Sequence, residues 1–265
     1  MHPMLNIAVR AARQAGNVIL RSVDRIDTLT ISSKSRNDFV SEVDRNAEQE
    51  IIAVIRKHYT NHGIVAEESG EQAGEEYVWI IDPLDGTTNF LHGFPQFSVS
   101  IGIQHKGVLT HAVVYDPMRQ EIFTASRGAG AQLNNKRIRV STLKSLDGAL
   151  LGTGFPYRYQ QHLDCYLQTF KALTPMTAGI RRAGSAALDL AYVAAGRLDG
   201  FWEFGLSPWD VAGGVLLIQE AGGLVGDLSG GAEFMETGNI VAGSPKVFKA
   251  LLQTLHPHLT KELSR

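Results

Sequence analysis

The spacing of apolar residues predicts two amphipathic helices in the first quarter of the chain. Apolar residues recur at helical intervals between residue 4 and about residue 21, at Leu5, Val9, Ala12 and Ile19. A second helix is expected to begin near Ser41, because the Ser-x-x-Asp pattern of residues 41–44 is typical of a capping box. Apolar residues then continue this helix at Ala47, Ile51, Val54 and Ile55.

Runs of β-branched and aromatic residues predict an antiparallel meander in the middle of the chain. Residues 98–105 and 108–115 form two such runs, and the Lys106-Gly107 pair between them is typical of a tight hairpin turn. Further strands are expected at 64–66, 78–81 and 121–125.

The second half of the chain alternates predicted helices and strands. Helices are expected at 162–173, 185–195, 211–221 and from Pro245 onward. Strands are expected at 200–204, 224–226 and 239–242. The third of these helices follows SPWD at 207–210, which supplies a capping serine, a first-turn proline and an acid. We therefore predict an α+β fold, with residues 1–265 forming one unit of two closely packed subdomains that divide near 140–150.

Composition and charge exclude several classes of protein. The chain has 265 residues, of which 44% are hydrophobic and 20% charged, and a formal net charge of −2, which argues against disorder and general binding to nucleic-acid backbones. Cys165 is the single cysteine, so an intrachain disulfide and a thiolate zinc cage are excluded. The N-terminus lacks a signal-peptide layout, and no apolar run reaches the ~18 residues of a membrane span. We expect a complete, cytoplasmic chain without membrane association.

The segment DPLDGTT at 82–88 is the strongest candidate site, because it places two carboxylates and two hydroxyls directly after an apolar strand. The proline stiffens the strand exit and Gly86 permits a tight turn, so Asp82 and Asp85 are expected to converge. Carboxylates at close range repel each other unless one holds a proton or a cation lies between them. Oxygen ligands, including a backbone carbonyl such as that of Leu84, favour Mg²⁺ together with a substrate phosphate.

Three further acids lie at the ends of predicted elements. Glu67 follows a short strand, and Asp210 opens a helix whose N-terminus would favour a phosphate. Asp44 and Asp210 each stand third after a serine, so each is alternatively a simple capping-box residue. Glu67, beside Glu68, is alternatively a solvated charge at a loop edge. Spacing alone leaves these alternatives open.

Three segments together carry a resemblance to a known family. DPLDGTTNF at 82–90, EES at 67–69 and WDVAG at 209–213 resemble the signature blocks of the inositol monophosphatase family, and the resemblance covers essentially the whole chain. It implies a layered α-β-α-β-α fold and usually a homodimer. It also implies Mg²⁺-dependent, lithium-sensitive hydrolysis of inositol 1-phosphate by a metal-activated water, without a phosphoenzyme.

The resemblance also implies roles for individual residues. Two to three Mg²⁺ ions would be held by Glu67, Asp82, the Leu84 carbonyl, Asp85 and Asp210. Catalytic roles around the attacking water are implied for Asp44, Glu67 and Thr87, and Lys34 matches a lysine near that site. Substrate contacts are implied for Asp85, Gly86, Thr87, Gly184, Ser185, Ala186, Glu203 and Asp210. Ser185 departs from members that carry threonine at this position.

The sequence allows three alternatives to this function. An aspartyl-phosphate mechanism is disfavoured, because haloacid-dehalogenase-like loops carry their acids two apart, whereas Asp82 and Asp85 are three apart. A bisphosphate substrate would call for extra basic residues, for which Arg158, Arg181 and Arg182 are candidates. Members of the family are also associated with ribosomal RNA antitermination. Contact with RNA polymerase or Nus proteins is therefore the alternative function, with Arg181-Arg182 either such a contact or a solvated dimer rim.

Overall fold

The computed structural model describes residues 2–35, 38–157 and 159–264, apart from the side chains at 28, 31, 33–35, 38 and 39. The predictions for Arg158 and for the Lys34 side chain therefore lie outside the described residues. The helices are α1 (Pro3–Ser22), α2 (Glu42–His58), α3 (Thr87–Leu91), α4 (Leu163–Leu173), α5 (Ala186–Ala194), α6 (Pro208–Glu220), α7 (Phe234–Thr237) and α8 (Pro245–Leu255). Short 3₁₀ helices lie at Val23–Thr28, Gln160–His162, Thr174–Met176 and His256–His258.

The strands form a hairpin and two larger sheets. They are β1 (Ile31–Ser35), β2 (Asp38–Ser41), β3 (Gly63–Ala66), β4 (Gly70–Gln72), β5 (Tyr77–Asp85), β6 (Ser98–His105), β7 (Val108–Asp116), β8 (Glu121–Ser126), β9 (Gly130–Leu133), β10 (Lys136–Arg137), β11 (Leu150–Thr153), β12 (Gly179–Arg181), β13 (Gly200–Glu203), β14 (Leu224–Gly226) and β15 (Ile240–Gly243). β1 and β2 pair with each other.

The larger sheet is built around the predicted meander. Its strand order is β10-β9-β8-β7-β6-β5-β3-β4, and each pair from β5 to β10 is antiparallel. Lys106 and Gly107 join β6 to β7 with φ of +52° and +79°, the left-handed pair that matches the twist of a tight hairpin. The predicted hairpin is confirmed. β3 is the exception to the meander, because it lies parallel to β5.

The smaller sheet has the order β12-β11-β13-β15-β14. β11 is parallel to both of its neighbours, whereas β15 is antiparallel to β13 and β14. The chain passes from the larger sheet to the smaller between Arg137 and Leu150. A division into subdomains near 140–150 stays a prediction.

Helices and sheets alternate as layers. α1 and α2 cover one face of the larger sheet, α5 and α6 lie between the two sheets, and α4 and α8 cover the outer face of the smaller sheet. α6 buries every residue from Val211 to Ile218, because it packs against sheets on both sides. The α-β-α-β-α architecture is therefore confirmed. Among the described helices, none combines the length and apolar character needed to cross a bilayer.

Candidate active site

A β-bulge in β5 brings two acids to the same face of the larger sheet. Asp82 pairs with Ser100 and Asp85 pairs with Ser98, so three steps along β5 match two steps along β6. Residues three apart on a regular strand point to opposite faces of the sheet. The extra residue of a bulge shifts the alternation by one, so Asp82 and Asp85 point to the same face. The prediction that the strand ends at Ile81 was wrong, because β5 continues through the bulge to Asp85.

Glu67 lies beside this bulge because β3 and β5 run parallel. Ala66 is the register partner of Ile81, and the Glu67 N–H donates to the Ile81 carbonyl oxygen at 3.2 Å. Glu67 and Asp82 therefore follow at the carboxyl ends of neighbouring strands, where side chains that build sites commonly meet. The predicted position of Glu67 at a strand end is confirmed, and the residue lines the same cavity as Asp82.

Gly86 turns the chain from β5 directly into α3. Its φ is +96°, and a Cβ at this position would lie 2.9 Å from the Gln96 carbonyl oxygen, so glycine is required for both backbone and space. Thr87 is the first residue of α3, a short helix that the sequence analysis did not predict. Its hydroxyl oxygen lies 2.8 Å from Asp44 Oδ1 and 3.1 Å from the Leu84 carbonyl oxygen.

Asp44 is both a capping residue and a partner of Thr87. Its Oδ2 accepts from the Ser41 N–H at 2.8 Å and from the Ser41 hydroxyl at 2.6 Å, which completes the capping box of α2. Its Oδ1 faces Thr87. Burial raises the pKa of Asp44, while the hydrogen bonds from Ser41 and Thr87 act in the opposite direction. Asp44 does not itself line the cavity and reaches it through Thr87.

Asp85 joins the larger sheet to the start of α5. Its Oδ2 accepts from the Ser185 hydroxyl at 2.6 Å and from the Ala187 N–H at 2.8 Å. Ser185 is almost fully buried, and its hydroxyl is directed at this carboxylate. The structure thus places Ser185 against a predicted metal ligand, a contact that the spacing of the two residues gave no means of predicting.

Asp210 enters the site from the third residue of α6. Its Oδ2 accepts from the Ser207 N–H at 2.7 Å, and the two residues form a capping box. It also lines the cavity that contains Glu67, Asp82 and Asp85. The capping role and the site position therefore coexist for Asp210, as they do for Asp44.

One cavity of about 540 Å³ collects nearly all of the predicted site residues. Those lining it are Glu67, Asp82, Leu84, Asp85, Gly86, Thr87, Gly184, Ser185, Ala186, Glu203 and Asp210. Unpredicted lining residues include Asp189, Gly154, Phe155, Tyr157 and Arg182. Asp189 could have been noticed, because it is the one charged residue in the apolar segment of α5. Arg182 is predicted from the sequence as a second-phosphate residue, a polymerase or Nus contact, or part of a dimer rim, and the structure places it in the cavity lining. Arg181 beside it is exposed on β12.

The cavity brings several carboxyl groups together. Burial raises the pKa of Asp82 well above its usual range, and the nearby Glu67, Asp85 and Asp210 carboxylates raise it further. Burial also raises the pKa of Asp85 to about 6, although hydrogen bonds from Ser185 and Ala187 oppose this shift. The pKa of Glu203 is raised well above its usual range by burial, and Arg182 opposes the shift. Neutralisation by a cation relieves such repulsion.

Comparison with known proteins decides the family. The family model described as the inositol monophosphatase family matches residues 1–261. The chain belongs to this family. Nus factor SuhB of Pseudomonas aeruginosa is 62% identical over 271 residues and Nus factor SuhB of Escherichia coli (strain K12) is 55% identical over 267 residues, each covering both chains completely.

Solved structures of the inositol monophosphatase family share the fold. The extragenic suppressor protein SuhB of Bartonella henselae superposes with a TM-score of 0.94 at 42% identity, covering 96% of this chain and 98% of that one. The inositol monophosphatase of Anabaena superposes with a TM-score of 0.86 at 41% identity, covering 96% of this chain and 95% of that one. The family is one of phosphatases that generally depend on Mg²⁺.

The donor set of the cavity fits such an ion by its chemistry. Carboxylates and a backbone carbonyl are hard oxygen ligands, and the repulsion that raises the pKa of Asp82 is relieved when a divalent cation binds. Among the described residues, no group of three or more His, Cys, Asp or Glu side chains is already arranged at coordinating positions.

Proposed function

We propose that the chain hydrolyses inositol 1-phosphate to inositol and phosphate with the help of Mg²⁺. The observation that carries this proposal is the convergence of Glu67, Asp82, Asp85 and Asp210 in one cavity beside the Gly86-Thr87 turn. Uncompensated carboxylates would repel a phosphate ester, whereas the same carboxylates loaded with divalent cations would attract one. Membership of a phosphatase family supports this proposal.

Two to three Mg²⁺ ions would be held by Glu67, Asp82, Asp85, Asp210 and the Leu84 carbonyl. When bound, such ions neutralise phosphate charge and lower the pKa of a bound water. The Gly86 and Thr87 backbone N–H groups lie at the turn that faces the cavity and would donate to the phosphate oxygens. No nucleophilic side chain is needed, so we propose direct attack by water without a phosphoenzyme.

Thr87 and Asp44 would orient the attacking water. The Thr87 hydroxyl donates its one proton towards Asp44 Oδ1, so the lone pairs of the hydroxyl oxygen are left to accept a proton from water. Asp44 is itself fixed by Ser41 and cannot rotate away without losing its capping bonds. We propose that this pair, with Glu67, positions the water and holds its proton during attack.

The ring of the substrate would occupy the part of the cavity lined by Gly184, Ala186 and Glu203. Glu203 would bind ring hydroxyls, which a carboxyl group does well because it can accept and, when protonated, donate. Ser185 would contribute chiefly by fixing Asp85, since its hydroxyl is already directed at that carboxylate.

A substrate panel tests the proposal. Initial rates of phosphate release would be measured with Mg²⁺ for inositol 1-phosphate, fructose 1,6-bisphosphate and an adenosine bisphosphate, each with and without lithium. We expect lithium-sensitive turnover with the highest kcat/KM for the inositol ester. A higher kcat/KM for a bisphosphate would contradict inositol 1-phosphate as the substrate. A trapped acyl phosphate or a burst of product would contradict direct attack by water.

A second function is supported by the names of the full-length relatives. Nus factor SuhB proteins are 62% and 55% identical to this chain over their whole lengths. We propose that the chain also acts in ribosomal RNA antitermination through contact with RNA polymerase or Nus proteins. In an antitermination reporter strain lacking the native factor, we expect Asp85→Asn to support antitermination as the wild type does. Loss of antitermination in that variant would make catalysis part of this role.

We further propose a homodimer, because large apolar side chains are exposed along one segment. Phe155, Tyr157, Tyr159, Leu163 and Leu167 are all at least a third exposed and fall within thirteen residues. Concentrated apolar exposure of this kind marks an association surface more often than scattered apolar residues do.

A further inference from the structure

Asp189 is a buried carboxylate that the proposed reaction does not yet use. It lies on α5, is only 2% exposed and lines the cavity. Asp189 is the one acid in the first turn of α5, where the helix N-terminus favours a carboxylate, but its burial among apolar and aromatic residues costs solvation energy. Buried carboxylates are almost always hydrogen-bonded or paired.

In the part of the chain that the structure describes, the Asp189 carboxyl group accepts no hydrogen bond and forms no ion pair. Buried Asp85, in contrast, accepts from Ser98, Ser185 and Ala187, and buried Asp116 pairs with Arg119 at 2.8 Å. Asp189 is among the residues that line the cavity. Its missing partner would therefore be a molecule that enters from there.

Asp189 and Glu203 both line the cavity near the end of β11. A Cβ at Gly154 would clash with the Glu203 carboxyl group, whereas a Cβ at Gly152 would meet Leu198 and Phe201 first and would lie 3.5 Å from the Asp189 Cβ, an ordinary contact. The two acids therefore lie near neighbouring residues of one segment, and the charge of Asp189 acts on Glu203.

Arg182 is the basic group whose charge acts on both carboxyl groups, and its guanidinium is held over the rings of Phe155 and Tyr157 at 5.2 Å and 4.9 Å from their centroids. Burial raises the pKa of Asp189 and of Glu203 well above their usual ranges. A carboxyl group that can hold a proton both accepts from and donates to hydroxyl groups, so neutral hydroxyl groups fit this end of the cavity.

We propose that Asp189 is a specificity-determining residue that, together with Glu203, binds hydroxyl groups of the substrate's leaving alcohol. Within the polyol monophosphates of the proposed function, hydroxyls of the leaving alcohol would meet both carboxyl groups. This inference rests on the proposed function and adds a residue that favours polyol esters over simple alkyl or aryl phosphates.

The test compares a polyol ester with an ester that carries no hydroxyl on its leaving group. Asp189→Asn keeps the size of the side chain but weakens its capacity to accept from hydroxyls. For this variant we expect kcat/KM for inositol 1-phosphate to fall roughly 10-fold to 100-fold. The loss for p-nitrophenyl phosphate should be at least about tenfold smaller.

Deoxy substrates provide a second measurement that does not depend on the variant folding. For at least one monodeoxy inositol 1-phosphate, the kcat/KM of the wild type should be lower by about tenfold or more than for inositol 1-phosphate. The same substrate should show no further loss with Asp189→Asn. Asp116→Asn is the matched control, because Asp116 is a buried acid outside the cavity. This substitution should lower the melting temperature and leave unchanged the ratio of kcat/KM for inositol 1-phosphate to kcat/KM for p-nitrophenyl phosphate.

Equal losses on both esters in Asp189→Asn, or no loss on either, would overturn the inference. Full activity of the wild type on every monodeoxy ester would also overturn it. These results differ from failure of the proposed function, which would show as a wild type that cleaves p-nitrophenyl phosphate but not inositol 1-phosphate.

Discussion

Asp44 uses its two carboxylate oxygens for two different tasks. Oδ2 closes the cap of α2 through Ser41, and Oδ1 holds the Thr87 hydroxyl. Asp210 likewise caps α6 while it lines the cavity. Because a capped helix end holds its acid in one rotamer, the helix start that stabilises the fold also preorganises the site.

Substitution of Thr87 tests whether its hydroxyl positions the attacking water. Thr87→Val keeps the shape of the side chain and removes the hydroxyl, so we expect kcat to fall by roughly 10²-fold or more, the usual contribution of positioned proton transfer. Thr87→Ser restores the hydroxyl and should recover most of the activity. Steady-state kinetics with inositol 1-phosphate would decide, and a Thr87→Val enzyme within twofold of the wild type would exclude this role.

The raised pKa of Asp85 has a consequence for stability without metal. Its pKa is about 6 in the folded chain against 3.8 for an unperturbed aspartate, so the unfolded state loses its proton first as pH rises. Stability present below pH 4 should therefore be lost as pH increases towards 6 in EDTA, and Mg²⁺ should restore it above pH 6. The melting temperatures of the wild type and of Asp85→Asn, measured in EDTA across this pH range, would test this predicted loss of stability. Parallel plots of melting temperature against pH for the two proteins would contradict the raised pKa of Asp85.

At the scale of elements, the bulge of β5 and the turn into α3 build the phosphate end of the site. The bulge places Asp82 and Asp85 on one face, and Gly86 lets the chain reverse directly after them. Neither β5 nor α3 would present these groups together if the strand were regular.

Substitution of Gly86 should damage both stability and activity. Gly86→Ala forces a side chain into a left-handed residue and against the Gln96 carbonyl oxygen. We expect a loss of about 1–3 kcal/mol in the free energy of unfolding from backbone strain. We also expect kcat to fall at least about tenfold, because a displaced turn misplaces transition-state contacts.

Gly107→Ala is the matched control. Gly107 has a similar φ of +79°, but a Cβ there would meet nothing within 4 Å. The free energy of unfolding of Gly107→Ala should fall only by the backbone strain, roughly 1–2 kcal/mol, and its kcat should equal that of the wild type. Urea unfolding and steady-state kinetics would be measured for both variants. Equal kcat losses would contradict a special role for the Gly86 turn.

Local signals predicted most of the elements, and long-range contacts account for those that were missed. Helices α2 and α6 were predicted from their capping patterns, and β6 and β7 from the Lys106-Gly107 turn. The bulge at Asp82–Asp85 could not be predicted, because it exists only in register with β6. Short strands such as β11 and β12 pair with distant segments and carry little periodicity of their own.

At the scale of the molecule, the site lies where layers meet. Glu67, Asp82 and Asp85 come from the larger sheet, Asp189 from a helix between the sheets, and Glu203 from the smaller sheet. Sequence motifs could predict most of the acids that line the cavity, because these acids stand at element ends beside turn residues. They could not predict Asp189, because its position in the cavity follows only from the stacking of α5 between two sheets.

The proposed dimer gives a prediction at this scale. Leu163 and Leu167 lie one turn apart on α4 and are 41% and 46% exposed. Leu163→Glu/Leu167→Glu should convert a dimer into monomers of 28.9 kDa, because two charges would be buried at the interface. Leu224→Glu, equally exposed but outside this segment, should leave the dimer intact. Light scattering across protein concentrations would test this, and a monomeric wild type would refute it.

The most direct test of the central claim is phosphate release from inositol 1-phosphate as a function of Mg²⁺ concentration. It would be measured for the wild type, Asp85→Asn and the exposed control Asp147→Asn. We expect saturable, Mg²⁺-dependent turnover by the wild type and by Asp147→Asn. For Asp85→Asn we expect a kcat lower by roughly 10³-fold even at saturating Mg²⁺. Wild-type turnover that is independent of Mg²⁺, or near-normal turnover by Asp85→Asn, would contradict the assignment of this cavity as a metal-assisted phosphatase site.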